Sequence, residues 1–162
     1  MATISKRRIE PVRTVSGNSP RTLVLPLGAT QTFKTGEIVQ LSAGYVQVCG
    51  SANPTAIVGV AAEDATSGTA GQYTIKVWLA DRDTIFVGNV GAGSTQTTAV
   101  TLRGMGAGLY DDGSVWLVDT AQTGTNTRVQ IVDLDTRDTV GDTTGRVHFS
   151  FKSPYFQLGS TS

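Results

Sequence analysis

The chain is poor in the residues from which most active sites are built. Among its 162 residues there is one cysteine, Cys49, and one histidine, His148. A lone thiol excludes an internal disulfide and suits a protein made in a reducing cytoplasm. Two such residues fall short of the roughly four ligands of a zinc centre. Charged residues make up only 16% of the chain, while the 39% of hydrophobic residues are too many for a disordered chain. No apolar run approaches the ~18 residues of a membrane helix. No apolar segment follows the charges at Lys6 to Arg8, so no signal peptide is expected. A sustained helical period is also missing. Ala61 to Thr66 and Thr97 to Leu102 are the only weak helix candidates, and both are short.

What the chain does have is glycine, 19 residues of it, set between short apolar runs. Many turns between short runs predict many short strands. Leu23 to Leu27, Glu37 to Ser42, Tyr45 to Val48, Ala56 to Ala62, Tyr73 to Ala80, Thr84 to Val90, Leu109 to Tyr110, Val115 to Val118, Arg128 to Leu134 and Arg146 to Lys152 read as strands. In the last of these, Val147, Phe149 and Phe151 share the inward face. Ala43-Gly44 and Asp112-Gly113 are expected to be tight hairpin turns, the second of type I′. The fold class is therefore all-β, a small barrel, β-tulip-like module or sandwich of about eight to ten strands. No fixed-period internal repeat is visible.

Charge is unevenly placed. Five of the 13 basic residues (Lys6, Arg7, Arg8, Arg13 and Arg21) lie in the first 21 positions, with one acid, Glu10. Pro11, Gly17 and Pro20 argue against regular structure there. Residues 1–21 are read as an extended basic arm, 22–157 as a single β domain and 158–162 as a C-terminal tail. The arm is expected to be separable from a body that folds without it. It carries no interleaved aromatics, so an acidic protein surface is favoured over nucleic acid.

The residues that could carry chemistry each have a plainer reading. His148 sits on the polar face of an alternating strand and is read as an exposed or edge histidine. Cys49 is read as a buried small hydrophobe. Asp133, Asp135, Asp138 and Asp142 resemble the start of a calcium loop. However, Arg137 and Asp138 stand where an acid and a glycine are needed, so a solvated loop is the reading. Asp111 and Asp112 are adjacent but lie in a turn. Gly88, Gly91, Gly93, Gly104, Gly106 and Gly108 lack the helix and lysine of a phosphate loop and are read as turns, bulges and loops. No catalytic residue, metal or cofactor is assigned.

Gly36 to Leu41, Gly44-Tyr45-Val46 and Ala56 to Ala61 resemble, in order and spacing, the capsid decoration or cement proteins of tailed bacteriophages. So do Ile75 to Trp78 followed by Asp83 to Phe86. The stretch from Val132 through Phe149 to Gln157 is similar to the C-termini of that family. The resemblance implies a protein without catalysis on the outer face of the phage head, after synthesis in the host cytoplasm. The implied partners are the major capsid protein and further copies in a trimer, with no membrane or nucleic acid. The arm residues Lys6, Arg7, Arg8, Arg13 and Arg21 are then the candidate capsid contacts. A tail-tube or fibre module is a second reading. A carbohydrate-binding sandwich using Tyr45, Trp78, Tyr110, Trp116 or Tyr155 is a third.

Overall fold

The structure, a computed structural model, describes residues 1–158. The expected tail therefore lies almost wholly outside the described residues. Thirteen strands follow in order: β1 (Glu10–Thr14), β2 (Thr22–Pro26), β3 (Thr32–Phe33), β4 (Ile38–Ser42), β5 (Tyr45–Val48), β6 (Gly59–Ala61), β7 (Ala65–Thr66), β8 (Thr74–Leu79), β9 (Thr84–Asn89), β10 (Gly106–Asp111), β11 (Trp116–Asp119), β12 (Val129–Leu134) and β13 (Arg146–Phe151). Two single 3-10 turns, Val100–Leu102 and Gly124–Asn126, are the only helical pieces among the described residues. The protein is all-β. It has more strands than the expected eight to ten because β1, β3 and β7 escape a hydrophobic pattern search.

The strands form a six-stranded sheet, β1-β9-β13-β12-β10-β11, a five-stranded sheet, β2-β8-β6-β4-β5, and a small β3-β7 pair. Neither large sheet closes into a barrel, and they pack as a sandwich. The Ala43-Gly44 turn has φ of 51° and 86°, as a type I′ hairpin requires. The Asp112-Gly113 turn differs from expectation. Asp111 pairs with Trp116, so the loop has four residues. The Asp112 carboxylate shapes it by accepting from the amides of Ser114 and Val115 at 2.9 and 2.8 Å.

The two large sheets are one unit built twice. Without β1, the six-stranded sheet is β9-β13-β12-β10-β11. Taken in chain order, both sheets run first, fifth, fourth, second, third, and every pairing is antiparallel. The register repeats as well. Leu27 bridges Val46 in parallel, and Val90 bridges Val118 in the same way. The next amides, Gly28 and Gly91, donate to the carbonyls of Val46 and Val118, both at 2.9 Å. Val58 donates to Val39 where Arg128 donates to Ala107; Gly36 donates to Ala61 where Gly104 donates to Ile131. Gly36 and Gly104 both need positive φ, 91° and 81°. Equivalent residues drift in spacing (27 to 90, 39 to 107, 46 to 118), so a fixed-period search finds nothing. The absence of a fixed-period repeat in the sequence thus stands beside a structural duplication that conserves pattern and not identity.

Each unit curls around apolar side chains. In the first, Leu27, Val39, Val46, Ala61, Ile75, Val77 and Leu79 are buried together with Phe33. In the second, Ala107, Leu109, Val118, Ile131, Val147, Phe149 and Phe151 form the interior. Ile38, Ile57 and Val60, from the other face of the first unit, join that second cluster. The middle of the five-stranded sheet is thus covered on both faces. Phe86, Phe149 and Phe151 pack with ring centroids 5.2 to 6.1 Å apart. Glycine belongs inside two strands for steric reasons. A Cβ on Gly59 would collide with the Trp78 carbonyl oxygen, and one on Gly108 with the Asn53 side chain.

Candidate assembly surface

The N-terminal segment is extended but not free. Ala2 donates to the Asp142 carboxylate at 3.0 Å, and Ile4 donates to the Thr143 carbonyl at 2.8 Å. The Arg7 amide reaches the Asn89 side-chain oxygen at 2.8 Å. Ile9 is 0% exposed and belongs to the larger apolar cluster. Residues 10–14 then add as β1 to the open edge of β9. Pro11 sits in this strand because an edge strand leaves one row of amides unused, and a register shift between Pro11 and Arg13 accommodates it. The segment is thus extended as expected but docked, because an apolar anchor and a strand ladder hold it to its own body.

That docking divides the five basic candidates. Lys6 pairs with Asp112 at 2.7 Å, and Arg8 lies 3.7 Å from Asp64. Asp112 is raised by its partial burial, but the Lys6 bond and the Ser114 and Val115 amides outweigh this and hold it below the usual carboxylate value. Arg7, Arg13 and Arg21 are exposed and make no ion pair among the described residues. Arg7 and Arg8 line a cleft beside Glu10, with Arg137 and Arg146 on its other wall.

Three of the four clustered aspartates have buried carboxylates; Asp133 alone is solvated, 44% exposed and 2.6 Å from Arg103. The side chains of Asp135 and Asp138 are 3% and 4% exposed. Asp135 binds Arg137 at 2.5 Å and faces His148 at 3.2 Å; Asp138 binds Arg146 at 2.5 Å. The Arg137 guanidinium holds Asp135 far below the usual carboxylate range, and the Arg146 guanidinium lowers Asp138. Asp142 is buried and accepts from the amides of Ala2 and Thr139. These carboxylates fasten the β12–β13 connection and the chain's first residues. Among the described residues, no three His, Cys, Asp or Glu side chains gather as metal ligands. His148 is partly buried on an interior strand, with its ring turned to the Asp135 carboxylate.

Cys49 is buried, and burial pushes its thiol up to about 12, which leaves it a hydrophobe and not a nucleophile. The five aromatics weighed for a glycan groove do not gather. Trp116 is buried, and Trp78 and Tyr155 pack against the core. Among the described residues Tyr110, alone of the five, lines an open cleft with Asn53, Gln96, Asp119 and Gln122, where Asp119 already accepts from both glutamines.

One exposed feature escaped the sequence reading. The edge strand β2 leaves Leu23 40% and Val24 62% exposed. Their equivalents in the second unit, Phe86 and Val87, are 0% and 4% exposed; Phe86 packs on Phe149 and Phe151, and the N-terminal strand pairs along that edge. No protein-family model matches this chain, and no curated protein is significantly similar to it. Among the described residues no helix is long and apolar enough to cross a membrane.

Proposed function

We propose that this is a structural virion protein that sits on the outer surface of a phage head and ties neighbouring subunits of the major capsid protein together. The observation that carries the reading is where the polar chemistry goes. Asp135, Asp138 and Asp142 are tied up in ion pairs and backbone bonds, the thiol is buried, and the exposed cations Arg7, Arg13 and Arg21 stand on one segment. Such a body does its work by contact. A rigid, twice-built β unit resists deformation, and exposed arginines suit bidentate pairing with carboxylates on a partner surface. Holding several subunits at once makes each further contact effectively intramolecular, so modest contacts multiply. Copies also associate with one another in this reading. The test is electron cryo-microscopy of heads with and without the protein. Extra density on the outer shell supports the reading, and density at the tail overturns it.

A further inference from the structure

The duplicated fold identifies one edge that is left open. In the second unit, the outer edge of β9 is covered by β1 through Glu10–Val87, Pro11–Phe86, Arg13–Ile85 and Thr14–Thr84 pairs. In the first unit the equivalent edge belongs to β2; β5 reaches only its far end, where Leu27 bridges Val46, and no strand covers it from Thr22 to Val24. The other outer strands of the two large sheets are protected. Gly28 caps β5 at Val46, Gly91 caps β11 at Val118, and β1 itself is blunted by Pro11 and its register shift. On β2, by contrast, Thr22, Leu23 and Val24 are all exposed and none is charged.

The backbone of β2 alternates in direction. Leu79 donates to the Arg21 carbonyl and Leu27 donates to the Tyr73 carbonyl, both at 2.9 Å. Residues 21, 23, 25 and 27 therefore face β8, and the amides and carbonyls of Thr22 and Val24 face outward. Pro20 and Pro26 lie three residues to either side of Leu23, and neither has an N–H to offer. The open stretch is thus symmetric about Leu23.

We infer that β2 pairs with β2 of a second copy of this chain, antiparallel about a two-fold axis at Leu23. Thr22 of each copy then bonds Val24 of the other. Four backbone hydrogen bonds form, and every outward group between the two prolines is used. The side chains of Leu23 and Val24 are covered in the same step. Each Arg21 lies across from a Leu25, about 13 Å along the strand from the other copy's arginine, beyond a Debye length in physiological salt. Two five-stranded sheets become one of ten strands. The contact is small, so the free protein associates weakly. Crowded on a shell, the same contact is strengthened by local concentration. A two-fold contact gives a dimer, in place of the trimer that the family resemblance implies. The inference does not rest on head binding, since it concerns the free protein.

Sedimentation equilibrium of the full chain from about 1 μM to about 1 mM tests it. Val24→Pro removes one outward amide per copy while leaving the bonds to β8 in place, and weakens dimerisation by about 30-fold. Val24→Lys keeps the backbone and places a charge on the edge, with loss in the same direction. Val24→Thr keeps both amide and shape and dimerises. Far-UV circular dichroism confirms that the variants fold, and if Val24→Pro does not, Val24→Lys decides. A wild-type monomer at about 1 mM, a trimer, or a dimer that the folded proline and lysine variants leave intact overturns the inference.

Discussion

Replacing Ile9 by alanine asks whether the N-terminal segment is part of the fold. Ile9 is 0% exposed and lies in the larger apolar cluster, close enough to Gly88 that a Cβ there would sit 3.3 Å from its Cγ1. On the other side the chain at Arg8 and Ile9 runs so close to Gly36 that a Cβ there would come within 2.6 Å of the Arg8 Cβ. The main chain of Ile9 is thus held against Gly36 while its side chain packs on Gly88, so the site cannot collapse freely. Large-to-small changes at such sites cost about 2 to 5 kcal/mol. For a chain of this size that is a fall in Tm of about 5 to 15 °C. Val15, one residue beyond β1, is 73% exposed, and Val15→Ala should stay within about 0.5 kcal/mol of wild type. Urea unfolding of both variants, followed by tryptophan fluorescence, measures the difference. An Ile9→Ala protein as stable as Val15→Ala would refute the docked segment and return residues 1–21 to a free arm.

Acid should unfold the protein through the Asp135 and Asp138 pairs. Both carboxyls are held below their ordinary value by Arg137 and Arg146. Their contribution is complete above the unfolded value, near ~3.9, and is lost as pH falls through the folded values. Tm should therefore be level from about pH 5 to 8 and fall below about pH 4. Asp138→Asn should lower stability at neutral pH by about 3 kcal/mol and flatten the acid limb, and calorimetry showing an unchanged acid limb would count against it. On heads, replacing Arg7, Arg13 and Arg21 together by alanine should weaken binding and reduce its salt dependence. Replacing the internally paired Lys6 should do less. Equal effects in co-sedimentation would remove the arginines from the interface.

Some of this architecture is legible locally and some is not. Val147, Phe149 and Phe151 alternate cleanly with Arg146, His148 and Ser150, so β13 shows in the pattern. Ala43-Gly44 shows as a turn because positive φ narrows the choice of residue. Gly106 and Gly108 hide inside β10, since a residue without a side chain leaves no hydrophobic signal. Pro11 reads as a breaker, yet an edge strand tolerates it. The aspartates read as solvated because Arg146 and His148, which come from β13, reach them only after β12 and β13 pair. The duplication is invisible because insertions shift the spacing, while pairs such as Ile75 and Val147 keep apolar character without identity. The open edge at β2 becomes visible only by comparing equivalent strands in three dimensions.

The most direct measurement for the central claim is a difference map between heads that carry the protein and heads that lack it. The account predicts a two-lobed β density outside the shell, contacting more than one capsid subunit. Heads identical with and without the protein, or density confined to the tail, would contradict it.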